Sequence, residues 1–429
     1  MERFNTGMLM PDIPRDSQAE SSLSLLGEGY SFIPSRCHRL GTDIFQVRLL
    51  MQNTICISGE EAAKLFYNER LFQRQRAAPR MLQKTLFGVG GVQGLDDEPH
   101  RHRKALFMSL LSDEAVVELV RLNEAYWQAA IETWQRRDRL VLMTEVQAIL
   151  TRVVCEWAGV PLADDEVIQR RDQLAAMVDG AGSIGARHWH ARQSRSEAED
   201  WMIERISERR SGALTGDEHR PLAVIARHRD RDGALLSERV AAVEMLNLLR
   251  PTVAVARFVI FAAIELLAHP HWRQRLQQDD SALEPFAQEV RRLHAFFPFT
   301  AARVRKDFEW KGYSFPQGTR VLLDLYGTNR DARVWEQPEV FRPERFASWD
   351  GSAFNFITQG GGDAATGHRC PGEPLAIALL VSALRMLTRR MSYAVPAQDL
   401  AIKTSRMPAQ PESLLIISDV RCLRPERRI

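Results

Sequence analysis

One stretch constrains this chain more than any other: Gln359-Gly360-Gly361-Gly362-Asp363-Ala364-Ala365-Thr366-Gly367-His368-Arg369-Cys370-Pro371-Gly372-Glu373. It is a glycine-rich loop that carries one cysteine to the head of an apolar helix. Pro371 suits a first helical position, and Leu375, Ala376, Leu379, Leu380, Leu384 and Leu387 follow at the spacing of a buried helix face. At a helix N-terminus, unpaired N–H groups and the positive end of the dipole lower a cysteine pKa and favour the thiolate, the form that binds iron. Glycines at 360, 361, 362 and 367 let the loop turn sharply and pass close beneath a flat macrocycle. The whole run reads as a haem-thiolate ligand loop. An isolated Cys-Pro-Gly would read as an inert buried cysteine.

The run Phe354-Asn355-Phe356-Ile357-Thr358-Gln359, three glycines, and the closing Gly367-His368-Arg369-Cys370-Pro371-Gly372-Glu373 resemble the cytochromes P450. Within that family they are most similar to the hydrogen-peroxide-using fatty-acid branch, whose cysteine loop is longer than usual. The resemblance extends from about Ser22 to the last strands, and Thr358 stands where a proline is usual. It implies the cytochrome P450 fold, mainly α with small β-sheets, and haem b whose iron is held by Cys370.

The chain has 429 residues, yet no linker, repeat or low-complexity tract divides it. The expectation is a polar tail over 1–21 and a single haem domain over 22–429. A formal charge of +2 gives no general attraction to nucleic acid. Five scattered cysteines without a C-x-x-C pair suit a reducing cytoplasm. The tail lacks the apolar segment of a signal peptide. The longest apolar region, Val240 to Ala268, is interrupted by Glu244, Asn247, Arg250, Pro251, Arg257 and Glu265, so it reads as a buried helix and not a membrane span. A hairpin is expected at 47–57, helices over most of 98–278, strands at 304–310, 313–315 and 320–325, and short strands at 393–395 and 414–417.

Glu289 and Arg292 fit the E-x-x-R of the resembled family, which joins a second arginine, here Arg345, in a buried network. The pattern alone carries nothing, because Glu98/Arg101, Glu118/Arg121 and Glu339/Arg342 repeat it. Its place ahead of the later strands and the cysteine loop gives it weight. Haem propionates want cationic partners. The run His100-Arg101-His102-Arg103-Lys104 resembles the family's propionate helix, with His100, Arg103 and His368 as contacts and Arg303 as a weaker one. Without the cysteine loop such a cluster would read as a solvated face. His188-Trp189-His190 reads as helix surface or turn, and the alternating charges of 227–232 as a solvated loop.

Leu248-Leu249-Arg250-Pro251-Thr252 interrupts the longest helix. Pro251 removes a backbone donor, and a guanidinium in an apolar helix needs a partner, for which a carboxylate is the best match. Reductase-dependent P450s have an acid-alcohol pair at this place; this chain does not. In the resembled branch the Arg-Pro pair binds the fatty acid's own carboxylate, which then helps split peroxide. The alternative partner for Arg250 is an internal acid such as Glu244. A carboxylate anchored there leaves only Cα and Cβ near the reacting centre, with the tail passing apolar residues such as Phe87, Phe296, Phe297 and Phe299. Gln93, in Gly90-Gly91-Val92-Gln93-Gly94-Leu95, matches the residue that is glutamine in hydroxylating members and histidine in the best-known decarboxylase.

The resemblance thus implies a peroxygenase that takes free fatty acid and hydrogen peroxide, needs no redox partner, and hydroxylates at Cα. Arg250 and Gln93 are its catalytic candidates, and Pro251 and Phe87 join Arg250 in binding substrate. Rival readings are an alkene-forming decarboxylase, a reductase-dependent monooxygenase and a noncatalytic haem-binding fatty-acid sensor.

Overall fold

The computed structural model describes residues 12–423. Strands β1 (Ile44–Leu49) and β2 (Gln52–Ile57) form the expected hairpin, turning at Leu50 and Met51, both at positive φ. The sheet continues with β3 (Phe72–Gln73), β4 (Phe299–Val304) and β5 (Arg320–Asp324), in the order β1-β2-β5-β4-β3. β5 runs parallel to β2 and antiparallel to β4, and every one of its residues is buried, as befits a central strand covered on both faces. The strand expected from 304 to 310 instead ends at Val304, and Phe308–Trp310 pairs with Tyr313–Phe315 in a separate hairpin turned by Lys311-Gly312. A third sheet joins Arg139–Val141, Ile416–Cys422 and Met391–Ala394. The part of the N-terminal segment that is described packs on the first sheet: Asp16 bonds Gln46 through its backbone and pairs with Arg36 at 2.7 Å.

The body is helical. Its site-forming members are α1 (Asp97–Leu110), α2 (Ala186–Ser211), α3 (Glu238–Ala254), α4 (Ala256–Ala268), α5 (Leu283–Leu293) and α6 (Glu373–Arg385). The long apolar region is two helices that meet at Val255, four residues after Pro251; there the Val255 N–H turns to the Thr252 carbonyl in a tighter bond. By length and composition Glu238–Ala268 passes as a membrane-crossing helix despite its polar residues, but 72% of its apolar window is buried inside the protein. Leu246, Leu249, Val259, Phe261 and Leu266 join Leu379, Leu380 and Leu384 of α6 in the main core. The Cys370 loop is thereby fixed to the body's interior. His188 is a buried member of α2, whereas Trp189 and His190 beside it are exposed, so this short run is not uniformly surface.

Glu289, Arg292 and Arg345 meet in one buried cluster. Arg292 grips both oxygens of Glu289 at 2.7 and 2.8 Å, and Arg345 donates to it at 3.1 Å. The Arg342 N–H adds a fourth bond, while Arg292 and Arg345 spend their remaining donors on the carbonyls of Asn329, Glu336, Gln337 and Val340. Because Glu289 and Arg292 are fully enclosed, Glu289→Ala leaves two buried cations without their anion. A loss of about 3–5 kcal/mol is expected, read as a lowered thermal midpoint of the haem-loaded protein; an unchanged midpoint would contradict it.

Asp324 caps the turn after β5 by accepting from the Gly327 N–H at 2.8 Å and the Ser58 hydroxyl at 3.1 Å. Burial pushes its carboxyl up to about 7 from 3.8. A group raised on folding contributes stability that is complete below the unfolded pKa and lost as pH rises through the folded one. This contribution is therefore lost from about pH 4 to about pH 7, so the thermal midpoint should decline across that window, and Asp324→Asn should flatten the decline. Parallel midpoint curves for the two proteins would refute this.

Candidate active site

Helix α6 begins at Glu373 with Gly372 as N-cap, so Pro371 is not a helical residue and Cys370 lies in the turn before the helix. The Cys370 N–H donates to the Gln359 carbonyl at 3.0 Å, closing the loop, and the Gln359 amide is 3.8 Å from Sγ. Burial pushes the Cys370 thiol up, against the Gly372 N–H that draws it down. The helix start is therefore not enough to make a thiolate here; a bound cation must stabilise it. Gly360 is at φ 95°, and a Cβ on Gly361 would meet the Ala353 carbonyl at 2.7 Å and the Tyr67 ring at 2.9 Å. Two arginines hold the loop from behind: buried Arg291 pairs with Glu373 and donates to Gln359 at 2.8 Å, and half-buried Arg369 pairs with Glu373 at 2.7 Å.

Beside the loop, His100 of α1 stacks on His368 with ring centres 3.9 Å apart. Burial holds His100 down at about 3 and His368 at about 4, so both are neutral, not the cations expected there. Asp96, held at about 2 despite its burial, lies 3.5 Å from His368 and accepts the N–H groups of Arg74 and Gln75 at 2.8 Å. The cations nearby are Lys104, which donates to the Gly367 carbonyl at 3.0 Å and to that of Arg369, and Arg74, whose enclosed Nη1 has no partner. Burial pulls Lys104 down to about 8. Arg103 is a correction: it pairs with Glu244 at 2.8 Å and Asp230 at 2.6 Å, and so is committed to α3 and the 229–235 turn. Arg303 is likewise spent on the carbonyls of Arg76 and Gly318 at the sheet edge.

On α3, Arg250 is buried, with 6% of its surface exposed. Among the described residues no carboxylate lies within ion-pair distance of it; Nη2 donates to Asn247 Oδ1 at 3.3 Å and Nε has no partner. Burial, aided by the nearby Arg195 charge, pulls it down to about 9, which leaves it a cation at neutral pH, while the Cys370 sulfur is close enough to raise it. Glu244, the internal acid weighed as its partner, is taken by Arg103 and by the Asn247 amide at 2.9 Å. Because Asn247 accepts from an arginine and donates to a carboxylate, its orientation is determined, and its Nδ2 also faces Gln93 Oε1 at 3.2 Å. Gln93, in the turn Val92–Gly94, thus has its oxygen engaged and its NH2 left to donate elsewhere. Phe87 ends the helical turn Gln83–Phe87 and is half-buried, whereas Phe299 packs among sheet residues near Phe32 and Phe45. Lys104 and Glu373 lie within the basic run and the cysteine loop read from the sequence but had no role of their own there; Arg74, Arg291 and Asn247 matched no motif, and only the polarity of Asn247 within an apolar helix signalled a role.

The sequence model of the family Cytochrome P450 matches residues 183–416, more than half of the chain. The chain belongs to the cytochrome P450 family. A putative cytochrome P450 137 of Mycobacterium tuberculosis is 25% identical over 330 residues, 72% of this chain and 68% of the relative. Cytochrome P450SP alpha (CYP152B1) in complex with (R)-ibuprophen is 46% identical with a TM-score of 0.92, covering 94% of this chain and 99% of that one. Cytochrome P450EX alpha (CYP152N1) with myristic acid is 43% identical, TM-score 0.93, over 96% and 100%. A variant of cytochrome P450 OleT with arachidonic acid is 31% identical, TM-score 0.94, over 97% and 100%. These neighbours put this P450 in the CYP152 peroxygenase branch, as a fatty-acid peroxygenase-type enzyme whose cofactor is thiolate-ligated haem. The residues present fit that cofactor: an enclosed sulfur that needs a cation, glycines where a Cβ would collide, two neutral imidazoles able to donate, and an arginine with an unpaired buried nitrogen.

Gly361→Ala should lower haem retention and the thermal midpoint, since its Cβ would collide with the Ala353 carbonyl. Haem content and Soret position after desalting check this; wild-type values for both would contradict it.

Proposed function

We propose that this P450 uses hydrogen peroxide to hydroxylate free fatty acids at Cα, with Cβ as the secondary position. The observation that carries the reading is Arg250: a buried guanidinium with one neutral hydrogen bond, no acid beside it among the described residues, and its best internal candidate occupied by Arg103. A fatty-acid carboxylate would supply two acceptors in the geometry a guanidinium prefers and would remove the cost of the bare charge.

In this reading Cys370 is the iron ligand, and haem, when bound, supplies the activation of peroxide and the transfer of its oxygen. His100, His368, Arg74 and Lys104 are the proposed partners of the propionates. Arg250 holds the substrate carboxylate, and that carboxylate accepts a proton from peroxide at one oxygen and returns it to the departing water. The balance is RCH2COOH + H2O2 → RCH(OH)COOH + H2O. Pro251, with no N–H to complete the helical bond to residue 247, loosens α3 beside Arg250. Phe87 provides apolar surface for the alkyl chain. Gln93, oriented by Asn247, neither gains nor loses a proton near neutral pH, so it favours retention of the carboxylate over its loss. An acid-alcohol pair for dioxygen chemistry is missing from Arg250-Pro251-Thr252, in keeping with peroxide as oxidant and no redox partner. The five free cysteines agree with a cytoplasmic setting.

Haem-loaded protein, myristic acid and peroxide, with products separated by chromatography, test the reading. 2-Hydroxymyristic acid is expected as the main product. A terminal alkene would make the enzyme a decarboxylase, turnover only with an electron donor would make it a monooxygenase, and spectral shifts without peroxide consumption would make it a sensor. Arg250→Leu should lower turnover by about 10²–10⁴-fold, the range of a lost acid-base group, with haem content unchanged; wild-type turnover in that variant would overturn the anchoring role.

A further inference from the structure

Two charged runs meet in space through residues that the oxidation site does not use. His102 comes from α1; His228 caps the end of the helix Pro221–Arg227; Asp230 begins the turn that follows. One ligand atom from each lies within 4.8 Å of the other two, and all three residues are half-buried. We infer that His102, His228 and Asp230 form a binding site for a borderline divalent metal ion of the Zn2+ class, separate from the haem iron.

Three details beyond proximity support this. His102 Nε2 is 2.9 Å from the Arg229 carbonyl, which can only accept, so the proton sits on Nε2 and Nδ1 keeps a free lone pair. A backbone carbonyl holding the far N–H of a ligating imidazole is the usual outer support of such ligands. His228 Nε2 is enclosed and has no hydrogen-bond partner, an unsatisfied ring nitrogen that nothing in the described residues explains. The Asp230 carboxylate is steadied by Arg103 at 2.6 Å, and Arg103 retains Glu244 at 2.8 Å as its counter-charge when Asp230 turns to a metal.

The backbone that presents two of the three ligands is firm. Asp230 and Ala234, Gly233 and Asp230, and Leu236 and His228 exchange bonds of 2.9, 2.9 and 3.1 Å across the turn. Two imidazoles and one carboxylate are a donor set that suits zinc, nickel or cobalt better than magnesium or calcium, and they leave a coordination position for water. Donors about 2 Å from a shared ion stand at most about 4 Å apart, so small side-chain rotations close the present spacing. Charged groups facing the site are Arg103 and, one residue away in the turn, Arg229, whose guanidinium is turned to the Gly233 carbonyl at 2.7 Å.

The test uses haem-loaded protein without a polyhistidine tag, stripped with EDTA and titrated with Zn2+ against a chromophoric chelator, with zinc counted by mass spectrometry. One zinc per chain is expected in addition to the haem iron. His102→Ala and His228→Ala should each weaken binding by at least about tenfold, while His190→Ala, an exposed histidine on α2, leaves it unchanged. Soret and far-ultraviolet dichroism spectra of each variant exclude misfolding as the cause. The inference is overturned by an absence of binding in the wild type, by full binding in the His102→Ala, His228→Ala double variant, or by zinc that instead follows Glu69 and His100, which with His368 form the other such cluster among the described residues.

Discussion

A positive charge without an anion organises the upper half of this site. Arg250 sits in a largely apolar helix, and the partner of its guanidinium among the described residues is Asn247, whose carbonyl oxygen accepts at 3.3 Å. Holding a buried ion so poorly compensated costs several kcal/mol, a cost a folded protein retains where a ligand removes it. The surrounding acids are arranged so that they do not remove it first. Glu244, one and a half turns earlier on the same helix, is neutralised from outside by Arg103, which Asp230 shares. Asn247 joins this closed ion pair to the open one and fixes the Gln93 amide as well.

The lower half is built on the reverse principle, with two buried acids each gripped by two arginines. Glu289 with Arg292 and Arg345, and Glu373 with Arg291 and Arg369, are two adjacent clusters that anchor α5 and α6 behind the cysteine loop. They leave the loop backbone little freedom, so the sulfur is presented at a fixed place while its own burial makes it dependent on a metal for charge. In the proposed function, a rigid cysteine side positions the cofactor and the under-compensated Arg250 selects an acid-headed guest.

The features legible in the sequence are those whose parts are adjacent in it. The cysteine loop, Arg250-Pro251 and Glu289-x-x-Arg292 each lie within one turn or one loop. Pairings over long separations were not legible: Arg103 with Glu244 spans 141 positions and Arg291 with Glu373 spans 82. Arg103 consequently read as a propionate contact although a distant acid claims it. Pro371 read as the first helical residue, yet Pro374 fills the first turn of α6 and Gly372 caps it, so the helix starts two residues later. The histidines read as cations because a motif carries no information on burial, and burial together with their mutual stacking keeps them neutral.

The most direct measurement of the central claim compares ligands that differ only in the head group. Myristic acid, its methyl ester and 1-tetradecanol share one chain, but only the first carries an anion for Arg250. The account predicts a saturable Soret shift and peroxide-driven oxidation with the acid, and neither with the ester or the alcohol at the same concentrations. Equal binding and equal oxidation of all three would mean that the guanidinium does not hold the substrate, and the account would fail.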